Sequence, residues 1–223
     1  MRGLFVTGTD TGVGKTEVAC ALLRAARARG LDAVGMKPAQ SGAGPGEVSD
    51  AERLLEASGR VEPFAAVCPY ELEAPLAPAV AARLEGRTVS LDAIVSAARA
   101  LASRHAAVVV EGAGGLLVPL SEDATYADLA AALGLPVLVV ARAGLGTLNH
   151  TALTCEALGR RGLAVAGVVL NRTVPVDDPS VPHNAAEIER MTGARVLAVL
   201  PHEPDIAARE RKLDAILGRE VQF

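Results

Sequence analysis

The 223-residue chain has few aromatic residues and little net charge. Aromatic residues make up 2% of it and tryptophan is absent, which disfavours nucleic-acid modules and carbohydrate sites that stack their ligands on aromatic rings. The formal net charge is −4, so no basic field is available to hold a phosphate backbone. We therefore expect no DNA or RNA partner.

The three cysteines, Cys20, Cys68 and Cys155, are far apart and form no C-x-x-C pair. Such a set argues against a disulfide framework and against a structural zinc site. It favours a reducing compartment, and we expect a cytoplasmic protein. No segment approaches the roughly 18 apolar residues of a membrane span, and the apolar run at the N-terminus is too short for a signal peptide.

Lysine is also scarce, with Lys15, Lys37 and Lys212 against 19 arginines. Wherever a generic positive charge would serve, this sequence uses arginine. A retained lysine is therefore a candidate for a role that needs a compact ammonium group.

Short β-branched runs alternate along the chain with helical patterns rich in alanine and leucine. This alternation predicts one α/β domain over residues 1–223, with a parallel β-sheet flanked by helices on both faces. The predicted strands are Leu4–Thr7, Ala33–Met36, Ala107–Val110, Pro136–Ala141, Ala164–Leu170 and Arg195–Leu200. The predicted helices are Thr16–Arg29, Asp50–Ala57, Leu91–Arg104, Thr125–Leu133, Leu148–Arg161, Ala185–Met191 and Asp205–Leu217.

Local signals support these helices. Thr125 and Asp128 fit a capping box, and five glycines stand just past helix ends, where a left-handed residue is favoured: Gly30, Gly59, Gly134, Gly162 and Gly193. We interpret residues 42–48 as a loop and residues 63–78 as a long connection, and long connections in compact domains are often functional.

The first strand is followed by the glycine-rich segment Gly8–Thr16, which ends in Gly-Lys-Thr and leads into a helix. This is the context of a P-loop, whose backbone N–H groups cradle phosphates. Lys15 would reach the β- and γ-phosphates, and the Thr16 hydroxyl would bind Mg²⁺. Five residues, rather than the strict four, separate Gly8 from Gly14.

Two alternatives to a P-loop are a tight turn without a ligand and a dinucleotide-binding turn. The second is disfavoured because Gly12-x-Gly14 is followed by Glu17 instead of a third glycine, and because Lys15 would have no role there.

Two charged residues are predicted at the same edge of the sheet, and a third at the start of a helix. Glu111 follows the third predicted strand and precedes a glycine run, where an NTPase places its metal-binding acid; the alternative is an exposed strand-end residue. Lys37 follows the second strand, either as a ligand contact or as a surface lysine. Asp50, after Ser49, is a candidate for a helix cap or a metal ligand.

These motifs together resemble the dethiobiotin synthetase family over nearly the whole chain. The resemblance rests on their order and spacing: Gly8–Thr16, Lys37-Pro38 with Ser41, Ser49-Asp50, Val110–Gly115, and Leu145-Gly146 with Asn149-His150. It implies a P-loop NTPase-type fold. It also implies that ATP and Mg²⁺ drive carboxylation and ring closure of 7,8-diaminopelargonate with CO₂ or bicarbonate, giving dethiobiotin for biotin synthesis.

The resemblance implies a role for each matching position. Lys37 and Lys15 are the implied catalytic residues, and the implied metal ligands are Thr16, Asp50 and Glu111. The implied nucleotide contacts are Gly12, Val13, Gly14, Lys15, Thr16, Glu17, Asp50, Glu111, Gly112, Ala113, Gly114, Asn171, Arg172, Pro201, His202 and Glu203. The implied substrate contacts are Thr11, Lys37, Ser41, Gly144, Leu145, Gly146 and Asn149, the last four receiving the substrate carboxylate across a homodimer interface.

Some positions remain open. The family commonly carries histidine where this chain has Ala79, and residues 172–184 match poorly. Asn171 is otherwise a turn residue, and His150 an ordinary helix residue. An alternative function is a P-loop switch ATPase of the partitioning or septum-placing class, but such proteins typically carry a lysine where this chain has Asp10. A relative of the cobyrinate amide synthetases is a third reading, and it usually needs an attached glutaminase domain.

Overall fold

The computed structural model describes residues 1–42, 44, 46–175, 177–203 and 205–220. Ala43 and Pro45 of the predicted loop 42–48, and Val176 of the segment 172–184, lie outside the described residues.

Strands and helices alternate along most of the chain. The strands are β1 (Gly3–Gly8), β2 (Ala33–Met36), β3 (Ala39–Ser41), β4 (Tyr70–Leu72), β5 (Ala107–Gly115), β6 (Val137–Arg142), β7 (Val165–Asn171) and β8 (Val196–Leu200). The helices are α1 (Lys15–Ala28), α2 (Asp50–Ala57), α3 (Phe64–Val67), α4 (Pro78–Leu84), α5 (Leu91–Arg104), α6 (Tyr126–Leu133), α7 (Thr147–Gly159), α8 (Val181–Thr192) and α9 (Ile206–Glu220).

Six of the strands form one parallel sheet in the order β2-β5-β1-β6-β7-β8. All six predicted strands are confirmed, and their ends agree to within one residue except at β5. The predicted end of β5 at Val110 is wrong, because the glycine run continues the strand: Gly115 pairs with Gly8 of β1. The register sets Glu111 opposite Val6, next to the strand that leads into the P-loop.

The sequence did not indicate the small parallel sheet of β3 and β4, or α3 and α4. Strands of three residues are too short to show a period of two. The predicted start of α8 at Ala185 is also wrong, because α8 begins at Val181 with a proline in its first turn. Proline is tolerated there because the first N–H groups of a helix have no intrahelical partner.

The sheet is covered on both faces, as predicted. Leu4 and Val6 of β1 pack in one buried cluster, whereas Phe5 between them packs in the other. Successive side chains of a strand point to opposite faces, so β1 contributes to two cores. All six residues of β1 are buried, and exposure to solvent resumes in the loop that follows its carboxyl end.

The local signals in the sequence are confirmed. At the start of α6, the Thr125 N–H donates to the Asp128 carboxylate at 2.7 Å, as a capping box requires. The five glycines past helix ends all have positive φ. Among the described residues, no helix has the length and apolar character needed to cross a membrane.

Candidate active site

The P-loop joins β1 to α1 at the carboxyl edge of the sheet. Gly14 precedes α1 with φ +91°, and a Cβ on it would lie 2.1 Å from Asn171 Nδ2. Both facts require glycine at this position. Lys15 and Thr16 are buried at the start of α1. Lys15 Nζ donates to the Asp10 carbonyl oxygen at 3.0 Å, so its ammonium group lies over the loop. Burial lowers the pKa of Lys15 below its usual range.

Lys37 lies at the centre of the site. Its ammonium group donates to Asp50 Oδ2 at 2.8 Å and to Glu111 Oε1 at 2.7 Å, and its side chain is 3% exposed. Burial alone would lower the pKa of Lys37, but the two carboxylates outweigh it and raise the pKa above its usual value. Lys37 is therefore protonated at neutral pH. The surface-lysine alternative is wrong, because the residue is buried.

The structure also decides between the alternatives for Asp50 and Glu111. Ser49 is the cap of α2, since its hydroxyl accepts from the Glu52 N–H at 3.1 Å. The capping role for Asp50 is therefore wrong, and its carboxylate is directed at Lys37 instead. Burial would raise the pKa of Asp50, but Lys37 and then Thr16 outweigh it and lower the pKa. Glu111 is fully buried, so the alternative interpretation of it as an exposed residue at a strand end is also wrong.

The predicted metal ligands fit a magnesium ion. Thr16 Oγ1 donates to Glu111 Oε1 at 2.8 Å, which brings the hydroxyl against the carboxylate. Glu111 Oε2 is buried and has no hydrogen-bond partner among the described residues. A buried carboxylate oxygen without a partner is suited to bind a cation. The described residues hold no cluster of three His, Cys, Asp or Glu side chains suited to a metal, and Mg²⁺ characteristically binds one or two carboxylates together with substrate phosphates.

A cavity of about 900 Å³ brings most of the predicted residues together. Lys37 and Ser41 line it together with residues of the P-loop. The predicted residues along it are Thr11, Gly12, Gly14, Lys15, Thr16, Glu17, Lys37, Ser41, Asp50, Ala113 and Gly114. Glu111 lies beneath it, and Gly112 contributes its carbonyl oxygen at 3.4 Å from Lys37 Nζ.

Sequence reasoning missed several residues of this cavity: Gln40, Arg53, Pro75, Leu76, Ala77, Pro78, Val118 and Thr173. The four residues 75–78 end the long connection that was expected to be functional, although no position in it was singled out. Arg53 follows Asp50 by three residues, a helical spacing that offered a signal. The sequence offered no such signal for Gln40, because its visible role is tertiary: its side-chain oxygen accepts from the Ala51 N–H at the start of α2.

A second cavity of about 350 Å³ also borders the P-loop. Thr11 and Gly12 line both cavities, and five further predicted residues line this one: Val13, Gly144, Leu145, Asn171 and Arg172. Asn171 is buried and donates through Nδ2 to the Val13 carbonyl oxygen at 2.9 Å. The alternative interpretation of Asn171 as a turn residue is therefore wrong. Asn171 is the last residue of β7, and its side chain contacts the P-loop.

The remaining predicted substrate contacts line neither cavity. Gly146 and Asn149 are exposed at the start of α7. The N–H of Leu145 is already engaged, because it donates to Asp178 Oδ2 at 2.7 Å. The chain's own carboxylate thus lies where a substrate carboxylate was expected. The sequence offered no signal for Asp178.

Pro201, His202 and Glu203 follow β8 and line neither cavity. The Glu203 carboxylate accepts from Lys212 of α9, which accounts for the third lysine. Ala79, in the first turn of α4, is buried, and its N–H donates to the Pro119 carbonyl oxygen at 3.3 Å. It follows the cavity-lining Pro78 but does not itself line the cavity.

Comparison with known proteins adds relatives along the full length of the chain. A family model described as an AAA domain matches residues 2–210. A protein of Anaeromyxobacter dehalogenans named ATP-dependent dethiobiotin synthetase BioD is 78% identical over 223 residues, which is all of both chains. A protein of the same name from Caulobacter vibrioides is 46% identical, and the match covers 80% of this chain and 83% of its own. Another from Bacillus licheniformis is 42% identical, and the match covers 92% of this chain and 88% of its own.

Solved structures confirm the P-loop NTPase-type fold. A ParA family ATPase from Chlorobium tepidum superposes with a TM-score of 0.57 at 12% identity, covering 97% of this chain and 92% of its own. The MinD cell division protein of Aquifex aeolicus gives a TM-score of 0.59 at 13% identity, covering 97% and 89%. At these identities the likeness concerns the fold alone.

Proposed function

This chain belongs to the family of ATP-dependent dethiobiotin synthetases, and from that premise we propose that it closes the ureido ring of dethiobiotin. It is an ATP-dependent ligase. The proposed substrates are 7,8-diaminopelargonate, CO₂ and ATP, and the products are dethiobiotin, ADP and phosphate. The proposed setting is biotin synthesis in the cytoplasm.

The proposed reaction begins when one amine of the substrate adds to CO₂ and loses a proton, giving a carbamate. A carbamate oxygen attacks the γ-phosphorus of ATP, and the bond from that phosphorus to the β-bridging oxygen breaks. The second amine then attacks the carbonyl carbon of the resulting carbamic-phosphoric anhydride. Phosphate leaves and the cyclic urea remains.

The main difficulty of this reaction is that two anions, the carbamate and the γ-phosphate, must meet. No strong base is needed for that step, but fixed positive charge is. Lys37 meets the need, because its two carboxylate partners hold it protonated. Lys15 and the P-loop amides would hold the phosphates. Thr16, Asp50 and Glu111 would hold Mg²⁺, which supplies further charge neutralisation when bound.

The observation that carries this proposal is the meeting of a second lysine with the P-loop in one cavity. Lys37 projects toward the two acidic residues that a P-loop enzyme uses for its metal, and Ser41 lines the same cavity. Such a lysine has a clear purpose in an enzyme that brings an anionic nucleophile to the γ-phosphate.

We assign the substrate carboxylate to the segment 144–149 of a second copy of the chain, at Gly146 and Asn149, because the Leu145 N–H already donates to Asp178. Gly146 and Asn149 line neither cavity of their own chain, which is compatible with a site completed by a partner. The proposal predicts a homodimer in sedimentation. Full activity of a monomer would contradict the shared site.

The fold likeness to MinD and ParA proteins does not favour the switch-ATPase alternative. Asp10, at the position of the lysine typical of that class, accepts from Arg142 Nη2 at 2.8 Å. An acidic residue held in an ion pair cannot supply a positive charge to a nucleotide.

The test is one reaction of the purified protein with MgATP, ¹³C-bicarbonate and 7,8-diaminopelargonate, analysed by mass spectrometry. A labelled cyclic urea with equimolar ADP is the expected result. Absence of product from a folded chain that binds MgATP would refute the proposed reaction. ATP hydrolysis that needs no diamine and is stimulated by lipid or DNA would instead support the switch class.

A further inference from the structure

Arg53 is a cation of the main cavity to which neither the motifs nor the proposed mechanism gives a role. It lies on α2 three residues after Asp50, so the two side chains are neighbours on one face of the helix. It lines the cavity together with Lys15 and Lys37. It is also close enough to Asp50, and to Cys20 of α1, for its charge to act on both.

The three cations of this cavity differ in what already holds them. Lys37 is in ion pairs with two carboxylates, and Lys15 donates to the Asp10 carbonyl oxygen. The guanidinium of Arg53 forms no hydrogen bond or ion pair with any residue that the structure describes. A partly buried guanidinium with five unused donors in a cavity for anions is prepared to bind one.

The position of Arg53 indicates which part of the nucleotide it would meet. A triphosphate on the P-loop extends from Lys15 toward the Lys37, Asp50 and Glu111 cluster, where its terminal phosphate must lie for transfer. Arg53 stands on the Asp50 side of the cavity and does not line the second cavity, where Asn171 is found.

We propose that Arg53 binds the terminal phosphate of ATP and so acts as a phosphate-binding residue beyond the P-loop. The planar guanidinium matches phosphate geometry with paired hydrogen bonds, which a lysine at this position would not reproduce in full. The inference rests on the proposed function only in taking ATP as the nucleotide.

The test is calorimetric titration of the protein with MgATP and with MgADP, without diamine or bicarbonate. Arg53→Gln should weaken MgATP binding about tenfold, the scale for losing a hydrogen bond to a charged group, and change MgADP binding less than twofold. Arg53→Lys should recover part of the loss. Arg99→Gln is the matched control, since Arg99 is an exposed helical arginine that does not line the cavity, and it should bind both nucleotides normally.

Unchanged MgATP affinity in Arg53→Gln would overturn the proposal, and so would an equal loss for MgATP and MgADP. A thermal melt establishes that the variant is folded. If Arg53→Gln is not folded, Arg53→Lys is tested by the same criterion: its loss of affinity should be confined to MgATP. The titration contains no diamine, so its result does not depend on the proposed reaction. If the mass-spectrometric assay gave no cyclic urea, the proposed reaction would be refuted, but the titration would still test the role of Arg53.

Discussion

Replacing Lys37 with methionine should destabilise the fold as well as stop the reaction. The substitution keeps the length of the side chain but leaves Glu111 as a buried carboxylate with the Thr16 hydroxyl as its one remaining donor among the described residues. Removing one partner of a buried ion pair costs about 3–5 kcal/mol. The lost contact with Asp50 adds little to this cost, because the Asp50 side chain is 38% exposed and water screens its charge.

Urea denaturation measures this effect. With a slope of about 3 kcal/mol per molar urea for a chain of this size, the midpoint should fall by about 1–2 M. The double variant Lys37→Met/Glu111→Gln should be more stable than the single Lys37→Met, because it removes the uncompensated charge. Turnover of Lys37→Met should drop about 10²–10³-fold, the scale for one charge contact in the transition state.

Two results would refute the reasoning. A cost below about 1 kcal/mol for Lys37→Met would mean that the carboxylate is not buried as the structure has it. Additive costs in the double variant would mean that Lys37 and Glu111 do not interact, since residues in contact normally show a coupling energy of about 0.5–3 kcal/mol.

Three further outcomes are expected. Glu111→Gln should raise the Mg²⁺ concentration needed for half-maximal activity, because the unpartnered Oε2 is lost as a ligand; an unchanged titration would remove Glu111 from the metal site. Gly14→Ala should abolish MgATP binding and lower the thermal midpoint, since its Cβ would overlap Asn171 Nδ2 at φ +91°. Asp128→Asn should cost about 0.5–1 kcal/mol at pH 7 through loss of the α6 cap. Hydrogen bonds from Thr125 lower the folded pKa of Asp128, so its contribution is present above the unfolded pKa and lost as pH falls through the folded one. The difference in stability between the two proteins should therefore shrink as pH falls below about 4, and a cost that does not change with pH in acid would contradict the charged cap.

Much of the fold was readable from local pattern. Strands buried on both faces appear as unbroken β-branched runs, and helix ends are marked by glycines and caps. All six strands of the main sheet and seven helices are therefore predicted, and most of their ends agree to within one residue; the exceptions are the end of β5, the start of α8 and the ends of α7 and α9. The predicted strand stops at Val110, before the glycine run, because glycine is typical of turns; pairing with β1 extends the strand through it. The proline in the first turn of α8 concealed the start of that helix for a similar reason.

The P-loop and its lysine are determined by sequence alone, since Gly-Lys-Thr between a strand and a helix has few other uses. What the tertiary structure decided is how distant charges meet. The sheet order places Lys37 and Glu111, 74 residues apart, within 2.7 Å of each other. The tertiary structure also places the guanidinium of Arg53 beside them without a hydrogen-bond partner among the described residues, and it brings Asp178 to the amide of Leu145. No local pattern encodes these contacts, because each depends on which strands become neighbours, and that is settled by burying the whole sheet between two layers of helices.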